Sequence, residues 1–326
     1  MPISSSPEVT GPSSVVNAAR RLWKRAACWA LPGLLAMSPS ARQNPSAPPD
    51  PSGSLEALAI QVLLDRLQFS PGEIDGTAGL NTLNAIDAFE RERGRRIADL
   101  LTASTAPTTV RYTVTAADMA TPIVKVIPPD MMAKSKLTRL GYTSHLEMLG
   151  ERFHSSPDLL TRLNPGLKIV AGAQLVVPNV RVARAARPPR DIVVKVSESL
   201  AALTVTDRAG NVIMYAPATT GSTDDPLPIG SWAVTAVAHN PPFNYNPGLF
   251  WDADPSHRKA TIPPGPNGPV GLVWIDLSKP HYGIHGTPEP GSVGYTTSHG
   301  CVRLTNWDAL RLAGMVRSGT KVEFVP

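Results

Sequence analysis

From residue 55 the apolar positions fall at helical spacing, as Leu55, Leu58, Val62 and Leu63. After Phe69-Ser70-Pro71-Gly72 and Ile74-Asp75-Gly76 they resume as Leu80, Leu83, Ile86 and Phe89. Residues three and four apart share one helix face, and a Pro-Gly pair interrupts a helix, so the pattern predicts a small helical unit over 54–98. A second unit is predicted over 111–180. Tyr112-Thr113-Val114 alternates like a strand, Leu146, Leu149, Phe153 and then Leu159, Leu160, Leu163 mark two short helices, Asn164-Pro165-Gly166 turns, and Leu175-Val176-Val177 closes as a strand stopped by Pro178.

From Asp191 onward the texture is β. Short strands are predicted at 192–196, 203–206 and 212–215, with Asp207-Arg208-Ala209-Gly210-Asn211 as the hairpin turn between the last two. Further strands are predicted at 232–237, 270–277 and 321–325. One late helix interrupts them, starting at Thr305 with Asp308 three residues on, burying Leu310, Ala313 and Val316, and ending at Gly319. The long segment 239–268, rich in proline and aromatics, is either a cap over a cleft or an extended loop. The expected fold class is therefore multidomain: a β-dominated domain, a mixed β-sandwich with one late helix, preceded by a small helical bundle and an α+β module.

Composition sharpens the boundaries. The chain has 326 residues and 34 prolines, about twice the ordinary share, and they mark linkers and loops. A net charge of +5 would suggest a polyanion partner, but its distribution argues otherwise. Residues 1–50 hold five basic and two acidic residues, and 181–190 hold four arginines and no acid. The basic character belongs to a leader and a linker rather than to one folded face, which speaks against nucleic-acid binding. In the leader, Arg20-Arg21-Leu22-Trp23-Lys24-Arg25 precedes an apolar run from Ala26 to Met37, too short for a bilayer span of about 20 residues and suited to a signal peptide. The expected organisation is a signal peptide over 1–40, a linker over 41–53, the helical unit over 54–98, the α+β unit over 111–180, an Arg/Pro linker over 181–190 and the β-domain over 191–326. Export to the periplasm or cell envelope follows as an expectation.

The two cysteines are Cys28, inside the leader, and Cys301, in Ser298-His299-Gly300-Cys301-Val302-Arg303. A lone thiol in an exported protein has no internal disulfide partner, so chemistry is its expected purpose. A free thiol has a pKa of about 8.5 and needs an imidazole to take its proton, with a third group to orient that imidazole. His285 and His299 are both candidates, and the residue chemistry does not choose between them. Gly300 allows a sharp turn, and the amides of Gly300 and Cys301 are natural donors to an oxyanion. Neither a His-Glu-x-x-His nor a paired-cysteine spacing occurs, so no metal and no other cofactor is expected.

Tyr282-Gly283-Ile284-His285-Gly286-Thr287 followed by Ser298-His299-Gly300-Cys301-Val302-Arg303-Leu304 resembles the two-part signature of the L,D-transpeptidase catalytic domain, over about residues 190–326. Pro241-Pro242-Phe243-Asn244-Tyr245, Pro263 to Asn267 and Asn306-Trp307-Asp308 match as well. The resemblance implies Cys301 as nucleophile and His285 as general base, oriented by the Gly286 carbonyl. It implies His299 as support for the oxyanion or thiolate, and Ser298 and Arg303 as substrate-binding residues. Phe69 to Gly76, with Gly79, Thr82, Ala85 and Phe89, resembles a three-helix peptidoglycan-binding domain, and 111–180 resembles a LysM carbohydrate-binding module with a longer stretch at 115–137. The implied partner is peptidoglycan, both stem peptides and glycan strands. The implied reaction forms a Cys thioester on a stem tetrapeptide, releases D-Ala and makes a 3-3 cross-link. Hydrolysis by the same site, as an L,D-carboxypeptidase, and a non-catalytic wall-binding protein are the alternatives.

Overall fold

The computed structural model describes residues 51–166, 168–180 and 191–326. The expected signal peptide and the 181–190 linker lie outside them. Three helices, α1 (Pro51–Arg66), α2 (Leu80–Arg93) and α3 (Ile97–Ala103), come first. Residues 51–53, expected in the linker, already belong to α1, since proline is tolerated in a helix's first turn. Ile60, Leu64, Phe69, Ala85, Ile86, Phe89 and Ile97 form the shared core. Leu55 and Leu80, each the first residue of its predicted stripe, are exposed. Gly72 and Gly76 turn the chain between α1 and α2 with φ of +77° and +76°.

The α+β unit pairs β1 (Thr109–Thr113) with β2 (Gln174–Pro178), antiparallel. Helices α6 (His145–Arg152) and α7 (Pro157–Leu163) cover that pair, burying Leu149, Phe153, Leu159 and Leu160 against Leu175 and Val177. Serines cap both helices: Ser144 Oγ accepts from Glu147 N–H and Ser156 Oγ from Leu159 N–H, which satisfies donors the helix itself leaves unpaired. Asn164 then fastens the turn to the closing strand, donating to Val176 O at 2.8 Å and accepting from Val176 N–H at 2.7 Å. The long stretch between β1 and α6 holds two single-turn helices, α4 (Ala116–Met119) and α5 (Met131–Lys134).

The remaining residues build one mixed eight-stranded sheet. Its strands are β3 (Val193–Ser197), β4 (Ala202–Thr206), β5 (Val212–Pro217), β6 (Gly230–His239), β9 (Val273–Leu277), β10 (Gly283–His285), β11 (Val302–Arg303) and β12 (Lys321–Val325). Their spatial order is β11-β10-β9-β6-β12-β3-β4-β5, with β12–β3 and β10–β11 parallel and the other pairs antiparallel. A sandwich of two sheets was expected. Instead the ten-residue β6 pairs with β12 through its first half and with β9 through its second, with an irregularity at Val234/Ala236 where it changes partner. Such an irregularity bends a strand. The two halves share one core, in which Val194, Leu203 and Met214 meet Ile275, Ile284 and Val302. A separate hairpin, β7 (Phe243–Tyr245) with β8 (Ala260–Ile262), stands off the sheet.

The late helix α8 (Asn306–Ala313) packs against β9 and β10. Thr305 caps it as expected, accepting from Asp308 N–H. Ala313 and Val316 are buried as expected, but the helix end and Leu310 differ from expectation. The chain leaves the helix at Gly314, and Gly319 instead serves a later turn at φ +87°. Ala309, Leu312, Ala313 and Val316 face the core while Leu310 is exposed, because packing between β9 and β10 selects a face one position round.

Both upstream units bind the β-domain through buried polar groups. Ser70 Oγ donates to Asp308 Oδ2 at 2.7 Å, and Arg311 bridges Asp308 and Asp65 at 3.1 Å each. His154 Nδ1 lies 3.1 Å from Asp65, and its ring stacks on Trp307. Burial would raise the Asp65 carboxyl, but His154 and Arg311 together hold it below the usual carboxylate range. Among the described residues no helix is long and apolar enough to cross a membrane.

Candidate active site

Strands β10 and β11 run side by side, with Ile284 opposite Val302 and His285 opposite Arg303. This parallel pairing brings the two halves of the sequence signature together, and Cys301, His285, His299 and Arg303 all line one cleft of about 900 Å³. The ring and the sulfur thus face the same cavity.

His285 is buried and stacks on Trp274, with centroids 5.4 Å apart. Its Nδ1 lies 2.7 Å from Gly286 O, so Nδ1 carries the proton, donates it to the carbonyl and leaves Nε2 as the free base. Burial pushes its pKa down to about 4, helped by the Arg303 charge and opposed by the Gly286 hydrogen bond. The imidazole is therefore neutral at neutral pH and ready to accept a proton. Cys301 is half-buried, and its Sγ lies 3.7 Å from His281 O. Burial raises the thiol's pKa, while the Gly283 amide and Arg303 favour the thiolate. At rest a neutral imidazole and a neutral thiol line the same cavity, with the Arg303 guanidinium and the Gly283 amide favouring the thiolate form of Cys301.

Gly300 has φ +89°, and a Cβ there would lie 2.6 Å from the Tyr282 ring, so both backbone and space demand glycine. At Gly286 a Cβ would sit 2.1 Å from Asn306 Oδ1. Ser298, expected to bind substrate, is buried; its hydroxyl donates to Cys301 O at 2.5 Å, and its amide donates to Thr220 O. It shapes the turn that presents the thiol. His299, expected to support the oxyanion or thiolate, lines the cleft with Cys301. Its Nε2 lies 2.8 Å from Asp252 Oδ1, and its ring packs against Phe250 and Trp251. It fastens the 243–262 segment over the cleft, and that segment is a lid: Tyr245, Phe250, Asp252, Asp254 and His257 all line the cavity.

Sequence reasoning missed the far wall. Pro129, Asp130 and Met131, from the long stretch of the α+β unit, line the cleft, and Asp130 Oδ2 sits 2.7 Å from His257 Nε2. Met131, Met132, Ile127 and Leu137 pack against Leu140, Tyr245 and Ile262. The only signal was the excess length of 115–137. Trp274 and Tyr282 were also missed, although Tyr282 opens the His285 motif.

The family description of the L,D-transpeptidase catalytic domain, YkuD, matches residues 189–324. The YkuD protein of Bacillus licheniformis, which bears an L,D-transpeptidase name, is 31% identical over 186 residues, covering 56% of this chain and 93% of its own. Its counterpart in Bacillus subtilis strain 168 is 30% identical over 180 residues, 54% of this chain and 91% of that one. Both matches are longer than the stretch from residue 189 to the C-terminus, so they run back into the α+β unit. ErfK/SrfK of Salmonella typhimurium, named as an L,D-transpeptidase, is 29% identical over 206 residues, 56% of this chain and 60% of that one. With nine-tenths of a relative matched and the catalytic-domain match spanning both His285 and Cys301, the chain belongs to the L,D-transpeptidase family of cell-wall enzymes.

Proposed function

We propose that this enzyme is exported and acts on peptidoglycan stem tetrapeptides through a Cys301 thioester. His285 Nε2 takes the thiol proton as Sγ attacks the carbonyl at the L-centre of the third residue. The Gly300 and Cys301 amides receive the developing oxyanion. The tetrahedral intermediate collapses, its C–N bond breaks, and His285 returns the proton to the departing D-Ala amine. An amine of a second stem then attacks the thioester, the C–S bond breaks, and a 3-3 cross-link remains. Arg303, in the cleft beside Cys301, pairs with a substrate carboxylate. The three-helix unit and the LysM-like unit hold glycan strands near the cleft, and residues 1–40 direct the chain to the periplasm or cell envelope.

The observation that carries this reading is the His285 hydrogen bond to Gly286 O, which fixes a neutral imidazole with its free nitrogen available in the cavity that holds the only thiol among the described residues. The test incubates purified chain with stem tetrapeptide and identifies products by mass spectrometry. A cross-linked dimer with free D-Ala is expected. Tripeptide alone assigns a carboxypeptidase instead, and no product from folded enzyme overturns the reading. Cys301→Ala is expected to lower turnover by at least about 10³-fold and to abolish the covalent carbapenem adduct, with sacculus binding unchanged.

A further inference from the structure

Behind His285 lies a chain of contacts that begins in the α+β unit. Tyr142 OH donates to Glu151 Oε1 at 2.7 Å, and Glu151 Oε2 accepts from Asn306 Nδ2 at 2.7 Å. Asn306 is 1% exposed, and the second acceptor for its amide nitrogen, Pro266 O, is more distant at 3.3 Å. On its other side Asn306 Oδ1 accepts from Leu272 N–H at 3.0 Å. That oxygen fills a notch between two glycines: a Cβ on Gly271 would come within 1.9 Å of it, and one on Gly286 within 2.1 Å. Gly271 holds φ +59°, a left-handed conformation that suits glycine. The Gly286 carbonyl beyond this notch is the group that orients the imidazole.

We propose that Glu151, contributed by the α+β unit, is a positioning residue for the catalytic base: it sets the Asn306 amide, which sets the Gly286 peptide, which sets His285. The inference rests on His285 acting as that base. It makes the upstream unit part of the catalytic machinery in addition to a holder of glycan. The physical logic is a donor count. Asn306 Nδ2 has two acceptors, and Glu151 is the nearer. Without it the amide keeps one long bond, its rotation is no longer opposed, and Oδ1 can leave the glycine notch. A buried donor left short of acceptors is costly enough to drive such a rearrangement. Because an ångström of misplacement can cost on the order of 10²-fold in rate, partial loosening should be measurable well below that.

Glu151→Leu and Glu151→Gln separate positioning from bulk. Gln keeps an oxygen for Asn306 and offers its amide to the Tyr142 hydroxyl, which can accept as well as donate. Leu keeps neither. The readout is iodoacetamide alkylation of Cys301 between pH 5 and 9, in the full chain on a Cys28→Ser background so that one thiol reports, beside tetrapeptide kinetics. For Glu151→Leu, about tenfold slower alkylation at pH 7 and an equal fall in kcat with KM unchanged are expected, against less than twofold for Glu151→Gln. A folded Glu151→Leu chain alkylating within twofold of the parent overturns the proposal, as does a Gln variant as impaired as Leu. Should Glu151→Leu not fold, Tyr142→Phe carries the test: about threefold slower alkylation supports the proposal and an unchanged rate overturns it. Alkylation reads the thiol directly, so a parent chain inert towards tetrapeptide removes the reading beneath, whereas unaltered alkylation in the variants removes only this inference.

Discussion

The floor and the roof of the cleft are built on opposite terms. The floor is β10, β11 and the Gly300–Cys301 turn, where His285 is 4% exposed and each critical group is fixed by backbone: Gly286 O for the imidazole, strand pairing for Arg303, the Ser298 bond to Cys301 O for the turn. The roof is the 243–262 lid. It is held at its edges by two His–Asp pairs, Asp252–His299 and Asp130–His257, whose carboxylate side chains are 48% and 45% exposed, and by a small apolar cluster. Buried groups hold one geometry because leaving it strands a polar atom, whereas exposed ion pairs exchange readily with water. The floor is thus suited to hold His285 and Cys301 in one geometry, and the roof to yield more readily.

The largest effect is expected behind the floor. Helix α8 backs β10, and its Arg311 neutralises Asp65 and Asp308, both fully buried. Arg311→Leu leaves two buried carboxylates without their guanidinium, which should cost about 3–5 kcal/mol in chemical denaturation. Adding Asp65→Asn should recover part of the loss, since one stranded charge goes with it. If Arg311→Leu unfolds at the parent's denaturant midpoint, the floor is not fixed from behind in the way argued here.

Acid offers the second separation. His285 has its pKa lowered from an ordinary 6.5 to about 4, so the unfolded chain binds the extra proton between those values. Stability from this group is complete above about pH 6.5 and is lost progressively as pH falls towards 4, by about 3 kcal/mol in all. Denaturation curves taken at pH 4, 5, 6 and 7 should show that slope, and His285→Gln should flatten it. Parallel pH dependences in parent and variant would mean the imidazole is not held neutral by burial.

The floor was legible in the sequence because its parts are close together in the chain and their residue types are demanding: an imidazole followed by glycine, and a thiol preceded by glycine. The longer strands were legible for a similar reason, since alternation is a local signal, whereas β7, β8, β10 and β11, of two or three residues each, are too short to show it. What was not legible came from distance. His154 and His257 meet Asp65 and Asp130, which lie 89 and 127 positions away in the chain. The exposure of Leu310 was equally hidden, because a short helix with apolar residues on several faces is oriented by what it packs against. The stretch 115–137 looked like an excess over a LysM pattern, and its use is spatial: it reaches the lid and closes the cleft wall. Asn306-Trp307-Asp308 was visible as a matching motif, but nothing local tells that its first residue fills a notch under Gly286.

The smallest effect, and the sharpest test of the comparison, lies in the roof. Asp252→Asn removes the carboxylate that His299 Nε2 meets at 2.8 Å and leaves a hydrogen-bonding side chain of the same shape. An exposed pair of this kind contributes well under about 1 kcal/mol, so the denaturant midpoint should be unchanged within error. The effect should fall on access instead: KM for tetrapeptide should move by no more than about threefold and kcat by less. Asp130→Asn should behave alike, since its pair with His257 is also at an exposed edge, and the double variant should be additive if the two anchors fasten the lid independently. A tenfold loss of kcat in Asp252→Asn would show that His299 acts on the reacting atoms. The roof would then belong to the chemistry, and the division between a floor fixed by buried groups and a roof held at exposed edges would fail.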